Sequence, residues 1–185
     1  MILSDDLGTT LDAISTALIS GLPHELSDPV ASNKPWTKAV KDGLRRMGTD
    51  RGLHVCCHGS PDQGEWLLDV VWMYPDAWHI LLAVESEWGE WKEVEADFGK
   101  LMSIKAQRKL LLFSTKNHVG ADRVIESIKK AMLGYPYHLA GEEYMALEVT
   151  APGAFRYYFK VPRDGWLESV EFSQMGTPLP WPWSK

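Results

Sequence analysis

The sequence predicts an α/β fold: a helix, a three-strand antiparallel meander, a second helix and a strand parallel to the meander, with extra helices and C-terminal strands. Three observations carry this. Trp66–Trp72 and His79–Val84 are short apolar runs rich in Val, Ile, Leu and Trp, divided by Tyr74-Pro75-Asp76, and such runs bounded by turn residues read as strands. Between them and a third apolar run, Leu110–Phe113, the residues Val94, Phe98, Leu101 and Ile104 recur at helical spacing. Glu90, Glu93, Glu95 and Asp97 crowd the start of that helix and Lys105, Arg108 and Lys109 its end, as the helix dipole favours, so the helix is predicted over 91–108. A helix between two strands implies a right-handed parallel crossover.

The remaining elements follow in order. Leu7, Leu11, Ile14 and Leu18 follow Ser4-Asp5-Asp6 at helical spacing and are closed by Gly21 and Pro23, which predicts a helix over 5–20. Residues 22–34 read as a loop. Pro35 suits a first helical turn, and Trp36, Val40, Leu44 and Met47 give the next helix an apolar face before Gly48. Leu53–His58 is predicted as the first strand of the meander, with a turn at Gly59–Gly64. Val124, Ile125, Ile128 and Met132 mark a helix over 119–133, stopped by Gly134 and Pro136. Tyr144–Thr150, Ala154–Val161 and Trp166–Ser173 alternate as hairpin-linked strands, and the proline-rich tail Thr177–Lys185 is expected to be extended. With 185 residues and no internal repeat or linker, residues 1–185 read as one domain with its core over about 35–115.

Composition excludes several classes. No apolar run approaches the roughly 20 residues of a membrane helix, and the N-terminus MILSDDLGTT is acidic where a secretory signal is basic. The adjacent Cys56 and Cys57 suit neither a structural disulfide nor a CxxC zinc site. These features together predict a reduced, cytoplasmic protein, most simply bacterial. The net charge of −6 opposes indiscriminate binding to polyanions. Yet Lys34–Arg51 holds six basic residues against two acidic ones, and Lys100–Lys130 holds eight against two. Lys38, Lys41, Arg45, Lys105 and Arg108 therefore form a candidate face for a phosphate backbone, beside the plainer reading that they are solvated helix residues.

The candidate site is acidic. An unpaired acid buried in a strand is costly, and two neighbouring predicted strands each carry one: Asp69 in the first apolar run, and Glu85 with Glu87 where the second continues as the strand His79–Glu87. On a strand, Glu85 and Glu87 share a face and Ser86 takes the other. Converging carboxylates suit a hard divalent cation such as Mg²⁺ or Mn²⁺; without one they repel, and one titrates upward. The histidines at 54, 58, 79 and 118 show no metal spacing. No GxSxG, phosphate loop or GxGxxG occurs. Trp88 and Trp91, which flank the carboxylates, are candidates for stacking on a base.

The order helix, strand, strand with Asp, strand with Glu-x-Glu, helix, strand resembles the core of the PD-(D/E)XK, or restriction-endonuclease-like, nucleases over Trp36–Ser114. The resemblance implies that Asp69 and Glu85 hold Mg²⁺ or Mn²⁺, with the Ser86 carbonyl a further ligand, and that DNA phosphodiester bonds are the substrate. The motif lysine is replaced by Glu87, as in some members, or migrates to the following helix, where Lys100 and Lys105 stand. Asp69, Glu85, Glu87 and Lys100 are thus the catalytic candidates. The family's acid on the first helix has no clear counterpart; Asp42 falls off the apolar face and Glu25 is a weak substitute.

Two functional classes follow: a metal-dependent nuclease in bacterial defence or repair, and a catalytically inactive binding or regulatory module on the same fold. Net acidity and the missing Glu-x-Lys favour the second; three acids on two strands favour the first. A protein-interaction domain using the Trp-Pro tail is a third. DNA is the expected partner, no membrane is expected, and monomer or homodimer is left open.

Overall fold

A computed structural model describes residues 10–23, 26, 33–57, 67–76, 78–115, 118–150, 153–162 and 171–180, the last as backbone only. The chain is α/β. Its elements are α1 (Leu11–Ser20), α2 (Asn33–Asp50), β1 (His54–Cys57), β2 (Val70–Met73), β3 (Ile80–Glu87), α3 (Trp91–Ser103), β4 (Ala106–Phe113), α4 (His118–Gly134), β5 (Glu143–Thr150), β6 (Gly153–Lys160) and β7 (Glu171–Pro180). The strands form one seven-stranded sheet in sequence order. β1, β2 and β3 are an antiparallel meander, β4 and β5 run parallel to β3, and β6 and β7 return antiparallel.

Strand alternation builds two cores from one sheet. Cys57, Val70, Trp72, Leu82, Val84, Leu110, Leu112, Met145 and Leu147 face one way and pack with Leu11, Ile14 and Leu18 of α1 and Trp36, Val40 and Leu44 of α2. Cys56, Val71, Ala83, Leu111, Phe113, Tyr144, Ala146 and Phe159 face the other way, against Val94, Phe98 and Leu101 of α3 and Val124, Ile125 and Ile128 of α4. The result is a three-layer sandwich. A β-carbon on Gly48 would sit 2.5 Å from Val55 Cγ2 and 2.7 Å from Trp72 Nε1, so α2 approaches the meander closely only because that side chain is missing. The buried Trp72 indole N–H donates to the Leu44 carbonyl at 3.2 Å, fixing the helix on the strand.

Several boundaries differ from expectation. α1 begins at Leu11, where the Thr10 hydroxyl caps it by accepting from the Ala13 N–H; Leu7 lies outside the described residues. α3 ends at Ser103, with Ile104 already extended, so Arg108 and Lys109 belong to β4 rather than to the helix end. Basic residues there imitate a dipole-stabilised last turn, but Arg108 and Lys109 are buried in the sheet. β2 is short, leaving Asp69 on the bend before it and Trp66 outside the described residues. β7 takes in the first part of the proline tail: Ala154 faces Leu179 and Arg156 faces Met175, with the register broken between them. Pro178 falls in that break on an edge strand, where a residue without an N–H is tolerated. Residues 166–170, expected to belong to this strand, lie outside the described set.

Candidate functional site

The site forms where the meander turns into the parallel crossover, at the C-terminal end of β3. Glu85 and Glu87 point toward α3, and Ser86 toward α2, as strand alternation dictates. Asp69 lies beside them because β2 and β3 pair Val70 with Val84, which brings the bend before β2 alongside residues 85 and 86.

The contacts are specific. Ser86 donates to Asp69 Oδ2 twice, from its backbone N–H at 2.9 Å and from its hydroxyl at 2.5 Å. Lys41 of α2 pairs with the other oxygen, Oδ1, at 2.9 Å. In return the Asp69 N–H donates to Glu85 Oε2 at 3.3 Å. Glu85 Oε1 lies 3.2 Å from Lys100 Nζ of α3, but no donor is aligned on it for a hydrogen bond. Lys100 is shared, since it sits 2.7 Å from Asp97 one helical turn earlier. The two acids are therefore joined to each other, and each is met by a lysine from a different helix layer.

The electrostatics follow from burial. Glu85 is pushed up to about 7 by burial first, then by the Asp97 and Asp69 carboxylates, with Lys100 opposing. Lys100 is held above the ordinary lysine range, chiefly by its bond to Asp97, so its proton stays while the nearest buried carboxyl is the group poised to titrate. Glu87 is also raised, mainly by burial; the Trp88 N–H, which donates to its Oε1 at 2.9 Å, counters this. Among the described residues Glu87 has no ion-pair partner.

Asp69, Glu85, Ser86, Lys41 and Lys100 come together, and Glu87 stands at the rim. Lys38 and Arg45 lie one turn either side of Lys41, and both pair with Asp42. Asp42 thus serves the surface of α2, paired with Lys38 and Arg45; Glu25 lies outside the described residues. Lys105 is elsewhere. It lines a cavity of about 550 Å³ with Trp78, His79 and Glu142, next to the start of β3 and β4, and the five residues from Ile80 to Glu85 span roughly 17 Å at strand rise. Arg108 is 4% exposed and pairs with Glu143 at 3.3 Å, so it is absent from the surface where the helical reading placed it.

Trp88 is buried, with its indole N–H donating to Thr37 Oγ1 at 2.9 Å and its ring 5.5 Å from Trp36. It anchors the α2 layer and has no free face for a base. Trp91 is half-buried with the Arg123 guanidinium 5.2 Å from its ring centre. Sequence reasoning missed two members of the site. Asp97 was legible as the i, i+3 partner of Lys100. The Ser86 hydroxyl was not, because its role depends on where the bend before β2 falls.

The donor set fits a small hard cation. Two carboxylates on neighbouring strands offer oxygen ligands, and Glu85 Oε1 is buried without an aligned donor. Among the described residues no group of three or more His, Cys, Asp or Glu is placed to hold a metal. An ion such as Mg²⁺ takes one or two carboxylates and fills its other positions with water and substrate oxygens, so Asp69 and Glu85 are the residues that could hold one. Among the described residues no helix is long and apolar enough to cross a membrane. Compared with known proteins, the chain matches no family model, no curated protein and no solved structure.

Proposed function

We propose that this chain is a Mg²⁺- or Mn²⁺-dependent nuclease of the restriction-endonuclease-like kind, acting on DNA phosphodiester bonds. The observation that carries the reading is the pairing of Asp69 with Glu85 through the 3.3 Å N–H bond, with a lysine of the following helix 3.2 Å from Glu85. Their position supports it as well: these groups stand at the C-terminal end of β3, where the crossover to β4 begins, and ligands in open α/β sheets commonly sit outside the carboxyl ends of the strands. Asp69 and Glu85 are the ion ligands in this reading. An extended residue sends its N–H and C=O toward the same neighbouring strand; the Ser86 N–H faces Asp69, so its carbonyl is oriented to join them. A divalent ion held there would supply charge neutralisation and an activated water for in-line attack on phosphorus. Lys100 orients the phosphate or the attacking water, and Glu87 at the rim is the alternative group for that role.

The test is cleavage of single- and double-stranded DNA in Mg²⁺ or Mn²⁺. Asp69→Ala and Glu85→Ala are each expected to abolish it. Inactive Lys100→Ala with active Glu87→Ala assigns the lysine; the reverse assigns the glutamate. Absence of cleavage together with absence of Mn²⁺ binding by calorimetry would defeat the reading.

One observation favours the second reading, an inactive binding or regulatory module. Both Asp69 oxygens are already engaged by protein groups, which is how a self-contained structural cluster looks. DNA binding that is indifferent to divalent ions, without cleavage, is the outcome that would select it.

A further inference from the structure

Asp69 is engaged unequally at its two oxygens. Oδ2 is held by Ser86 through a backbone N–H and a hydroxyl of the same strand residue, and the N–H is fixed by β3 and cannot leave without breaking the strand. Among the described residues Oδ1 is held only by Lys41, whose ammonium sits 2.9 Å away on a flexible four-carbon stem from α2. An ion that binds Asp69 therefore takes Oδ1. A divalent cation sits about 2.1 Å from a carboxylate oxygen, so it and an ammonium on the same oxygen would lie within roughly 4 Å of each other, where like charges repel strongly.

We propose that Lys41 is the resident counter-cation of Asp69, that a divalent ion displaces it, and that the displaced ammonium then grips the phosphate backbone. This rests on the nuclease reading and adds to it a coupling: the chain gains a DNA contact only when the ion is present. The surroundings of Lys41 support it. Its neighbours along α2, Lys38 and Arg45, share the single carboxylate of Asp42, so both start with a partner, whereas a displaced Lys41 leaves its own behind. With its side chain 17% exposed against 78% for Lys38, Lys41 has to move outward to reach a phosphate. Lys100 differs in kind. When Glu85 takes an ion, Lys100 keeps Asp97 and stays where it is.

Calorimetric titration with Mn²⁺ tests the exchange on the full chain, comparing wild type, Lys41→Met and Lys38→Met. Removing the competitor is expected to tighten Mn²⁺ binding by about tenfold in Lys41→Met, while Lys38→Met, which deletes the same charge from the same helix, stays within about twofold. Equal tightening in both variants would mean that only the general field matters and would overturn the exchange. Binding by none of the three proteins would overturn the nuclease reading along with it. Affinity for a short DNA duplex with and without Ca²⁺ supplies the second half: wild type is expected to gain affinity with Ca²⁺ and Lys41→Met to lose most of that gain. A loss equal in both conditions would overturn the coupling. Should Lys41→Met fail to fold, acetylation mapped by mass spectrometry on wild type decides the matter. Lys41 is expected to become several-fold more reactive on adding Ca²⁺, with Lys38 unchanged, and a Lys41 reactivity that does not rise counts against the proposal.

Discussion

The acids of this site differ in the sign of their contribution to stability. Glu85 is raised to about 7 by burial and by Asp97 and Asp69. Between the ordinary glutamate range and pH 7 the unfolded chain gives up this proton while the native state keeps it, so this group makes stability fall as pH rises through that window. Glu85→Gln in metal-free buffer is therefore expected to gain about 1–3 kcal/mol at pH 8 and nothing near pH 4, read from urea midpoints at the two pH values. Asp69 acts through its partners. From the sequence, Asp69 among clustered acids reads as a repulsive group whose neutralisation costs nothing. In the structure it pairs with Lys41 and accepts from Ser86, so Asp69→Asn is expected to lose about 1–2 kcal/mol by leaving a largely buried ammonium without its counter-ion. An unchanged or raised melting temperature in that variant would restore the repulsive view.

Among the elements, β4 was the hardest to read and holds the most unusual charge. Lys109 is wholly buried, bonded to Glu142 and the Tyr144 hydroxyl at 2.8 Å each, and His138 closes the cluster against the Met132 carbonyl. Burial lowers the Lys109 ammonium from its usual range, while Glu142 is lowered overall because its partners outweigh the cost of burial. Lys109→Met should cost about 3–5 kcal/mol, since it strands a buried carboxylate, and adding Glu142→Gln should recover a good part of it. Thermal melts of both variants measure this. A helical pattern could be carried to Arg108 because charge alone does not distinguish a last helical turn from the first residues of a strand; the partners that settle it, Glu142 and Glu143, come more than thirty residues later. The meander was legible because apolar runs and turn residues are local signals. The parallel place of β5 beside β4 was not, since nothing near Tyr144 encodes its neighbour.

For the whole molecule, the basic segments do not form one face. Lys41 and Lys100 stand at the acids, whereas Lys105 stands at the cavity beside the far end of β3 and β4. On the proposed nuclease reading, DNA affinity is expected to fall with added salt, and Lys100→Ala to reduce the slope of log K against log salt by about 0.9. Lys105→Ala should leave that slope unchanged, and a matching change there would mean that DNA runs the length of the sheet. The acids themselves could be picked out from the sequence because they interrupt apolar runs. Which oxygen each lysine meets was beyond it, because α2, the bend before β2 and α3 converge only once both layers have packed.

The adjacent cysteines give the protein a pair of internal clocks. Cys56 and Cys57 are both outside any disulfide and buried, one facing the α3–α4 layer and the other the α1–α2 layer. Burial raises both thiols, so neither reacts readily from the closed state. A thiol reagent must wait for the layer above each sulfur to lift, and one peptide bond separates the two reporters. If the sandwich opens as a unit, both label at a single rate; if one layer peels first, its cysteine labels ahead of its neighbour. Mass spectrometry of the singly labelled peptide would then state which side of the sheet comes off.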